Sequence, residues 1–161
     1  MSKAHTVSTT ASDPTVAAAA AQFLSPVVLG LQALTVNGKQ AHWHVRGANF
    51  VGVHELLDTI VEHAGDFADT AAERIVALGL PIDARVSSVA AKGSSTSVPA
   101  GFTQSDELVR AVIADIDAIL IDAKAAIDGL DEVDLSSQDV AIEIVRGLEK
   151  DRWFLVSHIA A

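Results

Sequence analysis

Apolar residues recur every three or four positions through four long stretches of the chain, the period of a helix with one buried face. The first stretch opens at Asp13-Pro14, a capping carboxylate followed by a proline suited to a first turn, and runs to about Trp43. Gly38 interrupts it without ending it, and Arg46-Gly47-Ala48-Asn49 then breaks the chain. The second stretch runs from about Val51 to Leu78 and stops at Gly79-Leu80-Pro81, a C-terminal glycine with a following proline. A softer segment from Asp83 to Gly101 holds Gly93-Ser94-Ser95-Thr96-Ser97 and Pro99, with room for one short helix near Ala84 to Ala90. Thr103 or Ser105 is expected to cap a third helix reaching Gly129, and Ser136 or Ser137 a fourth that continues almost to the last residue.

Two long helices, a long connection and two more helices predict an all-α fold. It is a four-helix bundle over residues 14–161, with one long crossover carrying a short extra helix and an N-terminal arm over residues 1–13. The pattern alone leaves the bundle topology open.

The polar side of the second helix carries the first chemical signal. On a wheel of about 100° per residue, His54, Asp58, Glu62, Asp69 and Glu73 fall within roughly a third of the circumference. Leu56, Leu57, Ile60, Val61, Ala64, Phe67, Ala68, Ala71, Ile75 and Leu78 lie on the other side. A charged stripe is ordinarily a solvated face. This one contains no lysine, and its nearest cation along the helix, Arg74, lies off the stripe. Four carboxylates in a row repel one another unless something cationic neutralises them.

Asp58 and Asp69 are eleven residues apart, about 16 Å along the axis, too far for one ion with ligands at about 2 Å. His54/Asp58 and Asp69/Glu73 therefore read as two half-sites on a face turned away from the core. A two-fold dimer could set one chain's first pair against the other's second pair. Oxygen ligands with a few imidazoles suit Fe(II), Mn(II) or Zn(II), and a chain without cysteine offers no thiolate for softer metals.

Composition narrows the partners. The 161 residues suffice for one domain, and their apolar half is mostly Ala, Val, Leu and Ile, with 4% aromatic residues and no Tyr. The net charge is −10, from 21 acidic and 11 basic residues, with no basic patch or tail of the kind that displaces phosphate counterions. Apolar runs such as Val16 to Leu24 are too short and interrupted to span a bilayer, and the N-terminus lacks a signal core, so a cytoplasmic protein with no membrane contact is expected.

Lys39-Gln40-Ala41-His42-Trp43-His44-Val45-Arg46-Gly47-Ala48-Asn49-Phe50, then His54, Asp58, Asp69, Glu73-Arg74 and Leu78-Gly79-Leu80-Pro81, resembles the Dps family, the starvation-induced mini-ferritins. The resemblance resumes at Glu149-Lys150-Asp151-Arg152-Trp153-Phe154-Leu155. Steps of twelve, four, eleven and four residues from His42 through Glu73 make it specific. It implies a ferritin-like bundle assembled as a homododecameric shell. It also implies a ferroxidase centre at a dimer interface, with His42, His54 and Asp58 from one subunit, Asp69 and Glu73 from the facing one, and Trp43 beside it. Iron is the implied cofactor and cargo, oxidised by hydrogen peroxide in preference to dioxygen. The family's three-fold cation pores, aligned from Trp153, suggest Asp134, Asp139 and Glu143.

Three departures qualify the resemblance. Position 44 is His where the family commonly has Asn, and His44 could be an extra ligand, a supporting group or an exposed residue. The N-terminal arm has one lysine, Lys3, and the last helix ends without a basic tail, so DNA binding is expected to be weak or absent near neutral pH. No Glu-x-x-His occurs, which argues against the within-bundle di-iron site of full ferritins.

His63 lies opposite His54 and is assigned to packing or a hydrogen bond, while His5 and His158 carry no motif. Trp43 and Trp153 read first as packing anchors, and Trp43 second as an electron donor beside an oxidising centre. His54-Glu55-Leu56-Leu57-Asp58 resembles His-Glu-x-x-His with Asp as its last member, which makes a metal-dependent hydrolase with Glu55 as base one alternative. A nucleoid-compacting DNA-binding protein and a shell with an inactive centre are the others.

Overall fold

The computed structural model describes residues 13–93 and 95–160. The expected arm over residues 1–13, with Lys3 and His5, lies outside the described residues except for Asp13. Helix α1 spans Pro14–His44, α2 Phe50–Ala77, α3 Val86–Gly93, α4 Ser105–Leu130 and α5 Leu135–Ile159. Between α1 and α2, Val45–Arg46 (β1) pairs in parallel with Thr103–Gln104 (β2), which leads into α4.

Helix α1 packs along α2 and α4, α5 packs on α4 and α2, and α3 rides on α1 within the crossover. This is the expected four-helix bundle. Leu24, Leu31, Leu34, Leu57, Ile60, Ile75, Leu108, Ile116, Ile144 and Leu148 are among its fully buried large side chains, drawn from all four long helices. Burying each removes roughly 1.5–3 kcal/mol of apolar exposure, which outweighs weak local propensity.

Helix α1 illustrates the point, because Pro26 lies inside it and the helix continues. A proline removes one intrahelical hydrogen bond. The neighbouring Leu24, Val27 and Val28 are buried, and their packing holds the segment helical. Gly38 is buried where α1 meets α2, and a Cβ there would come within 2.7 Å of Val61 Cγ2. Over its most apolar window α1 has a mean hydropathy of 1.5, so by length and composition it is long and apolar enough to cross a membrane. Counting uninterrupted apolar runs missed this, since the interrupting residues, such as Gln22 and Ser25, are uncharged.

The helix ends follow local chemistry, with some corrections to the expected caps. Asp13 Oδ1 accepts from the Thr15 N–H at 2.7 Å, as its position before Pro14 predicts. Helix α2 closes in a Schellman motif: Gly79 (φ 95°) donates to the Val76 carbonyl at 2.9 Å and Leu80 to that of Ile75 at 3.4 Å. Neither Thr103 nor Ser105 caps α4. The Ser105 hydroxyl donates to the Ala48 carbonyl at 2.6 Å, the Thr103 hydroxyl to that of Gly101 at 2.9 Å, and Gln104 precedes the helix without a side-chain bond. Helix α5 is capped by Asp134 rather than by Ser136 or Ser137, its carboxylate accepting from the Ser137 N–H at 3.2 Å. Helix α3 starts two residues later than expected, after Asp83 has engaged both Arg85 and the Ser88 hydroxyl.

Candidate metal centre

A tight turn creates the site. Gly47 (φ 96°) and Asn49 (φ 57°) adopt left-handed backbone between α1 and α2, and the two-residue ladder to β2 secures the turn from outside. This reversal sets the last turn of α1 against the first turns of α2. It brings His42 and His54, twelve residues apart, into a ring stack with centroids 3.7 Å apart and planes inclined by 22°.

The two histidines hold each other reciprocally. His42 Nδ1–H donates to the His54 carbonyl at 2.8 Å, and His54 Nδ1–H donates to the His42 carbonyl at 2.9 Å. A carbonyl can only accept, so each imidazole must carry a proton on Nδ1. Each then keeps its Nε2 lone pair for another partner whenever it is neutral. Phe50 covers the other face of His54, with centroids 5.2 Å apart and planes at 29°.

Asp58 follows one turn after His54, with Oδ1 4.0 Å from His42 Nδ1. Lys39 of α1 makes an ion pair and hydrogen bond with the same oxygen. The hydrogen bond from Lys39 is the main cause that holds the Asp58 carboxyl below the usual carboxylate range. The stripe on α2 thus has a lysine after all, supplied by the neighbouring helix. A wheel drawn for α2 alone could not contain it.

Asp69 and Glu73 lie further along the same helix, both exposed. Neither makes a hydrogen bond or ion pair with another described residue. Among the described residues, no group of three His, Asp or Glu side chains could hold a metal ion within one chain. The chain therefore brings His42, His54 and Asp58 together and leaves Asp69 and Glu73 apart from them.

Other candidates are placed as follows. Trp43 is 64% exposed beside His42. His44 turns the other way, donating from Nδ1 to the Gln40 carbonyl at 2.8 Å and packing against Phe102 with centroids 5.4 Å apart. Glu55 is exposed, and its side chain makes no hydrogen bond or ion pair with a described residue. His63 bonds the buried carboxylate of Asp151 on α5, so its assignment to a hydrogen bond holds. Asp134 accepts from Arg74 Nη2 at 2.7 Å as well as from Ser137. Burial draws its carboxyl upward, but Ser137 and Arg74 outweigh this and leave it below the usual range. Asp139 and Glu143 are exposed, one turn apart on α5.

Lys39, Phe50 and Asp151 are the residues that sequence reasoning missed. Lys39 and Phe50 stood inside the recognised motif without a role, and nothing in the sequence paired Asp151 with His63.

The profile of the ferritin-like domain family matches residues 30–161. The DNA protection during starvation protein of Agrobacterium fabrum is 33% identical over 122 residues, covering 75% of each chain. The protein of that name from Mycolicibacterium smegmatis is 35% identical over 130 residues, covering 75% of this chain and 66% of its own length. A solved structure of Dps from Microbacterium arborescens in the high iron form is 69% identical. It superposes with a TM-score of 0.92, covering 96% of this chain and 100% of that one. Mycobacterium smegmatis Dps in its tetragonal form is 27% identical with a TM-score of 0.87, covering 97% and 96%. The bundle agrees with these matches, and the chain belongs to the Dps family of ferritin-like proteins.

Proposed function

We propose that this chain is a subunit of a hollow homododecameric shell that oxidises Fe(II), with hydrogen peroxide as preferred oxidant, and stores the ferric product. The observation that carries the reading is the reciprocal His42–His54 bonding. It leaves both imidazole Nε2 atoms free of the Nδ1 bonds in a cluster with Asp58, on the helix whose Asp69 and Glu73 have no partner among the described residues. That a 69% identical Dps has been obtained in a high iron form supports iron as the cargo. In this reading a two-fold axis sets His42, His54 and Asp58 of one copy opposite Asp69 and Glu73 of the other.

Carboxylates and imidazoles suit Fe(II), and an imidazole tied through Nδ1 to a carbonyl is oriented before the ion arrives. Lys39 holds Asp58 until a cation displaces the ammonium. Two Fe(II) then give one electron each to one hydrogen peroxide, which with two protons leaves as two waters. Trp43 is the nearby side chain able to supply a stray electron. Asp139 and Glu143 are proposed to line a cation pore at the start of α5, while Asp134 serves it by capping the helix and anchoring Arg74. A cytoplasmic location belongs to the same reading.

Replacing Glu73 with Ala tests the centre. Initial ferric absorbance after mixing anaerobic Fe(II) and peroxide should fall about tenfold or more, with particle size by light scattering unchanged. An unaltered rate in an intact shell would mean an inactive or differently placed centre.

The relatives are named for DNA protection. With a net charge of −10, from 21 acidic against 11 basic residues, this chain is proposed to protect by removing iron and peroxide rather than by coating DNA. Retardation of plasmid at neutral pH and low salt would reverse that view.

A further inference from the structure

Phe50 is the first residue of α2 and is 43% exposed. A half-exposed phenyl ring at a helix start gains little from the core, and its ring contact is with His54, one turn on. The left-handed backbone at Asn49, φ 57°, sets where α2 begins, and so places position 50 four residues before the histidine. The His54 imidazole is consequently held on three sides. His42 stacks on one face at 3.7 Å, Phe50 lies over the other at 5.2 Å, and the Nδ1–H is tied to the His42 carbonyl at 2.9 Å. Nε2 is the one ring nitrogen left to meet a ligand.

The asymmetry with His42 is informative. His42 is buried and lies under α2, so its surroundings restrict its rotamer. His54 is half-buried near the first turn of its helix, and without Phe50 one face of its ring would lose its stacking partner within the chain. A single hydrogen bond fixes the tautomer but still lets a ring rock about it. A flat partner on each face removes that freedom before a cation binds.

We propose that Phe50 is a positioning residue of the metal centre: its ring clamps the His54 imidazole in the orientation that presents Nε2 to a divalent cation. The inference rests on the metal-centre reading above. Freezing one side chain in advance corresponds to a factor of about three to ten in affinity.

The test is anaerobic Co(II) titration of the assembled protein, following the visible ligand-field absorption, with the parent, F50L, F50W and H54A compared. F50L should bind Co(II) about three- to tenfold more weakly, with a broadened or shifted band. F50W, which restores a flat ring, should return both affinity and band shape toward the parent. A merely structural role for position 50 would not follow ring planarity in this way. Should F50L fail to assemble, F50M keeps the volume without the ring plane and carries the same comparison. If F50L or F50M matches the parent while H54A is impaired, the clamp is wrong and the centre stands. If H54A also titrates like the parent, the centre itself is wrong.

Discussion

The pair formed by His63 and Asp151 gives the sharpest stability prediction. Asp151 on α5 is 1% exposed, and both its oxygens lie 3.0 Å from His63 Nδ1 on α2, its sole hydrogen-bond donor among the described residues. Burial raises the Asp151 carboxyl above its ordinary value, with the hydrogen bond from His63 opposing the rise. Replacing His63 with Leu removes the donor and leaves the carboxylate enclosed. Breaking a buried pair costs about 3–5 kcal/mol, but the His63 side chain is 41% exposed, which discounts the figure to about 2 kcal/mol per subunit.

The sign of the pH dependence follows from the raised carboxyl. A group whose folded pKa lies above its unfolded value contributes stability below the unfolded value, about 3.9 for Asp, and loses it as pH rises through the folded value. Without His63 the upward pull is less opposed, so the penalty in H63L should be small near pH 4 and grow toward pH 7. Replacing both residues by Leu removes the charge together with its partner. The double variant should therefore recover to within about 1 kcal/mol of the parent. Urea unfolding at pH 4.5 and pH 7, at one fixed subunit concentration because assembly shifts apparent stability, measures all three proteins. A loss in H63L that is equal at both pH values, or a double variant less stable than the single, would refute the reasoning.

Two further outcomes follow from the cap and the lysine. Replacing Asp134 with Ala removes the α5 N-cap and the partner of Arg74 together, and should cost about 1–2 kcal/mol of stability by denaturant unfolding, with the backbone amide of Ser137 losing hydrogen-exchange protection first. Replacing Lys39 with Met removes the competitor for Asp58, so divalent-cation affinity by calorimetry should rise a few-fold. In that variant the Asp58 carboxyl should titrate closer to its ordinary range. The Lys39 pair's contribution is fully present above the unfolded carboxyl value, about 3.9, and is lost as pH falls through the lower folded value, so the difference between the two proteins should begin to shrink near pH 4 and vanish only below the folded value.

Much of the bundle was legible because amphipathic helices announce themselves. Of the ten residues grouped on one side of the wheel for the second helix, Leu57, Ile60, Ala64, Ala68, Ala71, Ile75 and Leu78 are buried, and Leu56, Val61 and Phe67 are half-buried. The stop at Gly79-Leu80-Pro81 was equally plain, since a Schellman end has a strong signature. The caps of α4 and α5 were less so. A hydroxyl near a helix start can satisfy an amide or donate to a distant carbonyl, and Ser105 took the second course toward Ala48. That choice depends on where α1 turns into α2, and no local pattern near residue 105 records it.

The candidate site divides along the same line. Carboxylates one turn apart on a single helix are a local arrangement, so Asp58, Asp69 and Glu73 could be read as half-sites from spacing alone. The charge on that face is set across helices. Lys39 reaches Asp58 from α1, and only the turn at Gly47 and Asn49 brings the two together. The consequence is a difference between the half-sites that the wheel made look equivalent. Asp58 already has a cation, which an arriving metal would have to displace, whereas Asp69 and Glu73 are one turn apart with no ion pair to any described residue. In the proposed dimeric centre a divalent ion would be drawn first to the bare pair, and the pre-bonded histidines with Asp58 of the facing copy would complete its shell. The resemblance to the Dps family implies Asp69 and Glu73 as the ligands from the facing subunit, and the placement of one lysine supplies a physical reason for metal to reach them first.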